Sequence, residues 1–184
     1  QLLASPLAAE ALPDFGAVPE FRLVDSSGAP FSRADLDGRL WIANFIFTSC
    51  PSFCPRLTAQ MTTLQGRLAG VDGVQLLSIS VDPATDTPEV LRAYAAKHGA
   101  SPETWSFVTG ERHAIHELVR NGFRLAVEER EPGQVVDDGQ GIIVHSDRFV
   151  LIDASGRIRG YYSGNDAAAM DELVAATQRL AADS

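Results

Sequence analysis

The sequence predicts a single α/β domain, a mixed sheet flanked by helices, and three observations carry that reading. From residue 39 onward, short apolar runs of strand length alternate with amphipathic helical stretches, an order that requires parallel crossovers. Two of the runs, RLWIANFIFTS and VQLLSISVD, are almost continuously apolar, as strands covered on both faces are. A later pair of runs, separated by Ser155-Gly156, reads as an antiparallel hairpin that makes the sheet mixed.

The elements follow in order. Residues 1–18 are rich in Ala and Pro and are expected to be a flexible tether, with the folded domain spanning 19–184. From Phe21 to Asp37 a short strand, a Ser-Gly turn and a second extended piece form an N-terminal β-hairpin. After the RLWIANFIFTS strand, Pro55 suits the first position of a helix, which puts Cys54 at or next to the N-cap. Leu57, Met61, Leu64 and Leu68 give that helix its apolar stripe. After VQLLSISVD, Pro88 opens a second helix behind Thr87, with Val90, Leu91, Tyr94, Ala95 and His98 inward and Gly99 as its stop. A strand over Trp105 to Thr109 precedes a helix from Glu111 to Asn121 that turns Ile115, Leu118 and Val119 inward. Residues 128–140 have the composition of an acidic loop, and GIIVHSDRFVLIDASGRIRGYYSG supplies the late hairpin. A last helix over Asp166 to Ala182 faces the sheet with Met170, Leu173, Val174, Thr177 and Leu180.

Composition narrows the function. A chain of 184 residues, 45% of them hydrophobic, can bury a core without disulfides. The formal charge of −9 argues against nucleic acid, whose binding needs a basic face, and against anionic lipid. A cationic ligand or a basic partner fits better. No stretch reaches the roughly 18 apolar residues of a membrane helix. Because the chain starts at Gln1, a signal or membrane anchor upstream of the tether is expected.

The only two cysteines, Cys50 and Cys54, lie where a buried strand runs into a helix, the end of an α/β sheet at which ligands bind. A helix N-terminus favours the thiolate, which is both nucleophile and metal ligand. One helical turn would separate the two Cα atoms by about 6 Å, within disulfide range and equally suited to two sulfurs converging on one metal. Both possibilities stay open on geometry. Two thiolates fall short of a structural zinc site; with an imidazole added they suit copper. Among the histidines, His98 reads as a helix cap, and His113 and His116 as a solvated pair. His145 stands at a strand entrance after the acidic loop, where binding residues concentrate. It joins the cysteines only if the fold brings the two segments together.

FTSCPSFCP after one buried strand, SVDPATDTPEVLRAY after the next and a His before the late hairpin together resemble the Sco/SenC family. The resemblance runs from about Phe21 to the last helix. It implies a thioredoxin-like fold, with Cys50, Cys54 and His145 as the ligands of one copper ion, Cu(I) and, with an added ligand, Cu(II). The fold it implies would bring His145 beside the cysteine loop. It implies a metallochaperone for the copper centre of cytochrome c oxidase, with the copper-accepting oxidase subunit and other copper chaperones as partners. It also implies a periplasmic setting, on the outer face of a bacterial inner membrane, reached through an N-terminal anchor. Ser52 departs from the acidic residue that many relatives carry between the cysteines. The alternative function is a thiol-disulfide oxidoreductase that uses Cys50 and Cys54 as a catalytic dithiol. A peroxidase fits poorly, because Ala43 stands where the peroxiredoxin Pro is expected. Asp82 and Asp86, each next to a turn or a helix start, read as structural.

Overall fold

The computed structural model describes residues 12–50, 53–125, 128–129, 142–143 and 146–183. The elements are β1 (Arg22–Asp25), β2 (Pro30–Ser32), β3 (Leu40–Ile46), α1 (Phe53–Arg67), β4 (Val74–Ser80), α2 (Pro88–Lys97) and β5 (Trp105–Thr109). They continue with α3 (Arg112–Glu117), β6 (Glu128–Glu129), β7 (Ile142–Ile143), β8 (Arg148–Ile152), β9 (Ile158–Ser163) and α4 (Ala167–Ala182).

Seven strands form one mixed sheet in the order β2-β1-β5-β4-β3-β8-β9. Its centre is parallel, β3 on β4 and β4 on β5, and these are the strands whose sequences are most evenly apolar. Antiparallel strands extend it on both sides, β8 and β9 beyond β3, β1 and β2 beyond β5. Alternate residues of β3 enter opposite layers. Trp41, Ala43 and Phe45 pack in one cluster with Ile115, Val119 and Phe123. Ile42 and Ile46 pack in the other with the α1 stripe and with Leu91, Met170 and Leu173. Leu57, Met61 and Leu64 are almost wholly buried, each worth about 1.5–3 kcal/mol relative to exposure, and this is what seats α1 on the sheet.

Local chemistry sets the ends of the helices. The Thr87 hydroxyl accepts from the Val90 N–H, with Pro88 in the first turn, and Gly99 terminates α2 at a φ of 67°. Asp166 caps α4 by accepting from the Ala168 and Ala169 amides.

The fold departs from the sequence expectations at several points. Helix α1 begins at Phe53, so Cys54 lies inside its first turn and is not the N-cap. The second arm of the N-terminal hairpin is only Pro30–Ser32 before the chain tightens into a 3-10 turn over Arg33–Leu36. Val90 is 37% exposed, because Leu91 alone takes the fully buried position of α2. The helix expected to Asn121 widens after Glu117 into π-type bonding over Leu118–Gly122, closed by the Phe123 N–H donating to Leu118 O at 2.8 Å. A Cβ on Gly122 would come within 2.8 Å of Leu118 and 3.1 Å of Pro19, so the bulge exists where only glycine fits. Glu128–Glu129, assigned to a loop, pairs with Ile142–Ile143 in a separate two-stranded ribbon. Ile142 and Ile143 therefore do not belong to the late hairpin.

The end of the segment assigned to the tether is bonded to the sheet. The Phe15 N–H donates to Ile158 O, the Ile158 N–H to Gly16 O and the Val18 N–H to Gly156 O, each at 2.9 Å. Val18 is buried, and the Arg159 guanidinium donates to the carbonyls of Leu12 and Pro13. The packed chain thus starts before residue 19.

Candidate metal centre

β3 and β4 run parallel with Ile46 opposite Ser80. The segments that follow them therefore leave the sheet side by side, tied by the Val81 N–H donating to Ile46 O at 2.9 Å. One segment carries the cysteines and the other carries Asp82 and Asp86. Two motifs more than 25 positions apart in the chain become one site because parallel strands end at the same edge.

Both cysteines are thiols and both are buried, Cys50 at 8% and Cys54 at 2% exposure. The Cys54 N–H donates to the Cys50 sulfur at 3.3 Å, and the Cys50 N–H donates to Phe47 O at 3.2 Å. Burial pushes the Cys54 thiol up to about 12, with the neighbouring Cys50 and the negative charge of Asp86 adding to it. A hydrogen bond from the Phe47 backbone N–H works in the opposite sense. This reverses the sequence expectation of a lowered thiol, since desolvation in an apolar cluster outweighs the helix N-terminus. Cys54 is a soft sulfur that keeps its proton at neutral pH until something replaces it.

The surroundings are polar on the α2 side. Asp86 is fully buried; it accepts from the Thr48 N–H at 3.1 Å and from the Ser80 hydroxyl at 2.6 Å. Its carboxyl is nonetheless raised, burial being the largest cause and the nearby Asp82 a lesser one. Asp82 is buried too, and its Oδ1 has no hydrogen-bond partner among the described residues. The Tyr94 hydroxyl pairs with that of Thr58 at 2.9 Å. Its phenol is raised chiefly by burial, with the neighbouring Cys54, Cys50 and Asp86 adding to it and the Thr58 hydrogen bond opposing it.

The structure brings together Cys50 and Cys54, as expected, and adds the two acidic residues that the sequence reading set aside as turn formers. The signal for them was the Asp-Pro and Asp-Thr-Pro pattern at the end of an apolar strand; what it lacked was the neighbouring strand. His98 caps α2 with its ring 4.4 Å from that of Tyr94. His113 is exposed and His116 half-buried on α3, away from the cysteines in the other layer. His145 lies outside the described residues. Among the described residues no three His, Cys, Asp or Glu side chains converge as a metal site. The donor set that is present, two adjacent sulfurs, fits a soft thiophilic ion and lacks the further ligands of structural zinc.

A mixed sheet with a dithiol at the junction of its central strand and first helix defines a thioredoxin-like protein. The SCO1/SenC family model matches residues 10–182. A SCO1/SenC family lipoprotein from Bacillus anthracis is 34% identical, with a TM-score of 0.77 over 90% of this chain and 95% of that one. BsSco, described as a member of the Sco family of cytochrome c oxidase assembly proteins with a disulfide switch, is 30% identical, with a TM-score of 0.78 over 94% and 98%. Yeast Sco1 with copper bound is 27% identical, with a TM-score of 0.70 over 87% of each chain. The chain belongs to the SCO1/SenC family.

Proposed function

We propose that the chain carries one copper ion on Cys50, Cys54 and His145 and delivers it during assembly of the copper centre of cytochrome c oxidase. The observation that carries this reading is the pair of thiols held next to each other, the Cys54 N–H on the Cys50 sulfur at 3.3 Å. Thiolate sulfurs select Cu(I), and an imidazole would accommodate Cu(II) as well. The direction of β8 supports including His145. β8 lies antiparallel on β3 with Ala43 opposite Val150, so it enters the sheet at the edge where β3 delivers the cysteines, shortly after His145 in the chain. The copper in the yeast relative and the oxidase-assembly role of BsSco support the cargo and the destination.

Loading requires each thiol to release its proton to solvent, and Cys54, held near 12 by burial, releases it only as the metal takes the proton's place on sulfur. Release to a partner then proceeds by ligand exchange, with the partner's thiolates or imidazoles replacing these donors one at a time. The partner in this reading is the copper-accepting oxidase subunit, and the setting is the outer face of a membrane, with an anchor upstream of the tether. The lipoprotein relative supports that setting; among the described residues no helix is long and apolar enough to cross a membrane.

A second reading rests on the same two sulfurs. As adjacent thiols they can reduce a partner's disulfide by exchange, closing to a disulfide themselves while the partner's two cysteines take up the two electrons and two protons. His145 separates the two. An anaerobic Cu(I) titration of the reduced protein against a competing chelator is expected to give one tightly held ion, weakened about 10-fold or more in His145→Ala. Copper binding indifferent to His145, with cysteine-dependent reduction of a partner disulfide, transfers the function to redox chemistry.

A further inference from the structure

Asp86 is not a ligand in the reading above, yet its carboxylate is completely buried and every hydrogen bond recorded for it comes from a side chain or amide at the cysteine end of the sheet. Thr48 reaches it twice, through the backbone N–H at 3.1 Å from Oδ2 and through its hydroxyl on Oδ1. Ser80 reaches it through a hydroxyl at 2.6 Å, and the same Ser80 oxygen accepts from the Asp82 N–H at 3.1 Å. Thr48 adjoins Phe47, whose backbone serves both cysteines. The Phe47 carbonyl accepts from the Cys50 N–H at 3.2 Å, and the Phe47 N–H is bonded to the Cys54 sulfur.

We propose that Asp86 is a positioning residue for the dithiol, a clamp that grips Thr48 and thereby fixes the Phe47 backbone from which both cysteines are hydrogen-bonded. The inference rests on the copper-carrier reading for its purpose, though not for its geometry. Donors arriving from two strands fix the direction of a backbone segment, which an apolar contact in the same space could not do. A buried carboxylate is costly to desolvate, and closing a loop does not by itself require one. The arrangement is explained if the Phe47 C=O must meet the Cys50 N–H and the Phe47 N–H must meet the Cys54 sulfur within a few tenths of an ångström. Asp86 also starts the turn into α2, since its own N–H donates to Asp82 O at 2.9 Å. The clamp therefore locks the cysteine segment to the Asp82–Asp86 segment as one unit.

The test compares Asp86→Ala, Asp86→Asn and Val119→Ala in the full chain, the last being a core truncation in the opposite layer that lowers the melting temperature without touching the clamp. Two quantities are read: iodoacetamide alkylation of Cys54 in the reduced, metal-free protein at one fixed pH, and Cu(I) affinity by competition. Asp86→Ala is expected to speed Cys54 alkylation about tenfold as the loop opens locally and to weaken Cu(I) binding about tenfold. Asp86→Asn, which still offers Thr48 an acceptor and can donate to Ser80, should restore most of both. Val119→Ala should leave both near wild type at a comparable loss in melting temperature. Cys54 alkylation in Asp86→Ala no faster than in Val119→Ala overturns the clamp, as does an Asn variant no better than Ala. A wild-type protein that holds no Cu(I) defeats the copper reading, while the alkylation arm still decides the clamp.

Discussion

The backbone N–H of Cys54 donates to the sulfur of Cys50 at 3.3 Å, so the first turn of α1 begins by hydrogen-bonding the other thiol of the pair. The two cysteines are one structural unit before any metal arrives. Replacing either removes half of the sulfur donors and leaves the other unable to chelate. Cys50→Ser and Cys54→Ser are each expected to lose competitive one-to-one Cu(I) binding. A far-ultraviolet spectrum like that of wild type would show that the fold survives. Retention of copper at wild-type affinity by either variant would exclude the two-sulfur site.

Alkaline stability should report on Cys54. In the folded protein its thiol holds its proton up to about 12, whereas an unfolded cysteine loses it near about 8.5. The unfolded chain therefore binds fewer protons between those values. Stability from this group is complete below the unfolded value and is lost as pH rises toward the folded one, at up to about 1.4 kcal/mol per pH unit. Urea unfolding of the reduced metal-free protein at about pH 8 and about pH 10 should show a larger loss for wild type than for Cys54→Ala. Equal losses would mean that burial does not hold the proton.

A polar chain crosses the centre of the sheet on the α1 side. The Trp105 indole N–H donates to the Ser78 hydroxyl at 3.0 Å, and that hydroxyl donates to Asn44 Oδ1 at 2.7 Å. Ser78→Ala strands a buried N–H and a buried carbonyl oxygen, a loss of about 1–3 kcal/mol. The measurement is chemical unfolding, with Cu(I) affinity expected to stay within about twofold, since the site end of the sheet is not touched. A neutral Ser78→Ala would assign the stability of these strands to their apolar neighbours alone.

Removing residues 1–18 tests where the domain begins. Val18 is 3% exposed and the backbone of Phe15, Gly16 and Val18 bonds to the last hairpin. Truncation is expected to cost about 2–4 kcal/mol, from the burial of one valine and about three hydrogen bonds. Removal of residues 1–11 alone should leave the melting temperature of residues 12–184 within a degree or two of the full chain, about 0.5 kcal/mol or less. If the longer truncation is equally silent, the segment is a tether up to residue 18.

Much of the fold was legible because its signals are local. The continuous apolar runs at 40–46 and 74–80 became the central parallel strands, and Thr87-Pro88 and Asp166 became helix caps, since capping needs only atoms a turn away. The adjacency of the two sulfurs was also legible, because Cys50 and Cys54 are close in the chain; the raised thiol of Cys54 was not. Three things depended on which strands are neighbours. The register of β3 on β4 set Asp86 beneath Thr48, a contact across 38 positions that no periodicity announces. Packing of α1 on the sheet buried Cys54 and raised its thiol against the pull of the helix terminus. The edge of β9 took up residues whose composition is that of a linker. Sequence alone determined which groups can do chemistry here; desolvation and strand order, which exist only once the chain has folded, decided how those groups are held and charged.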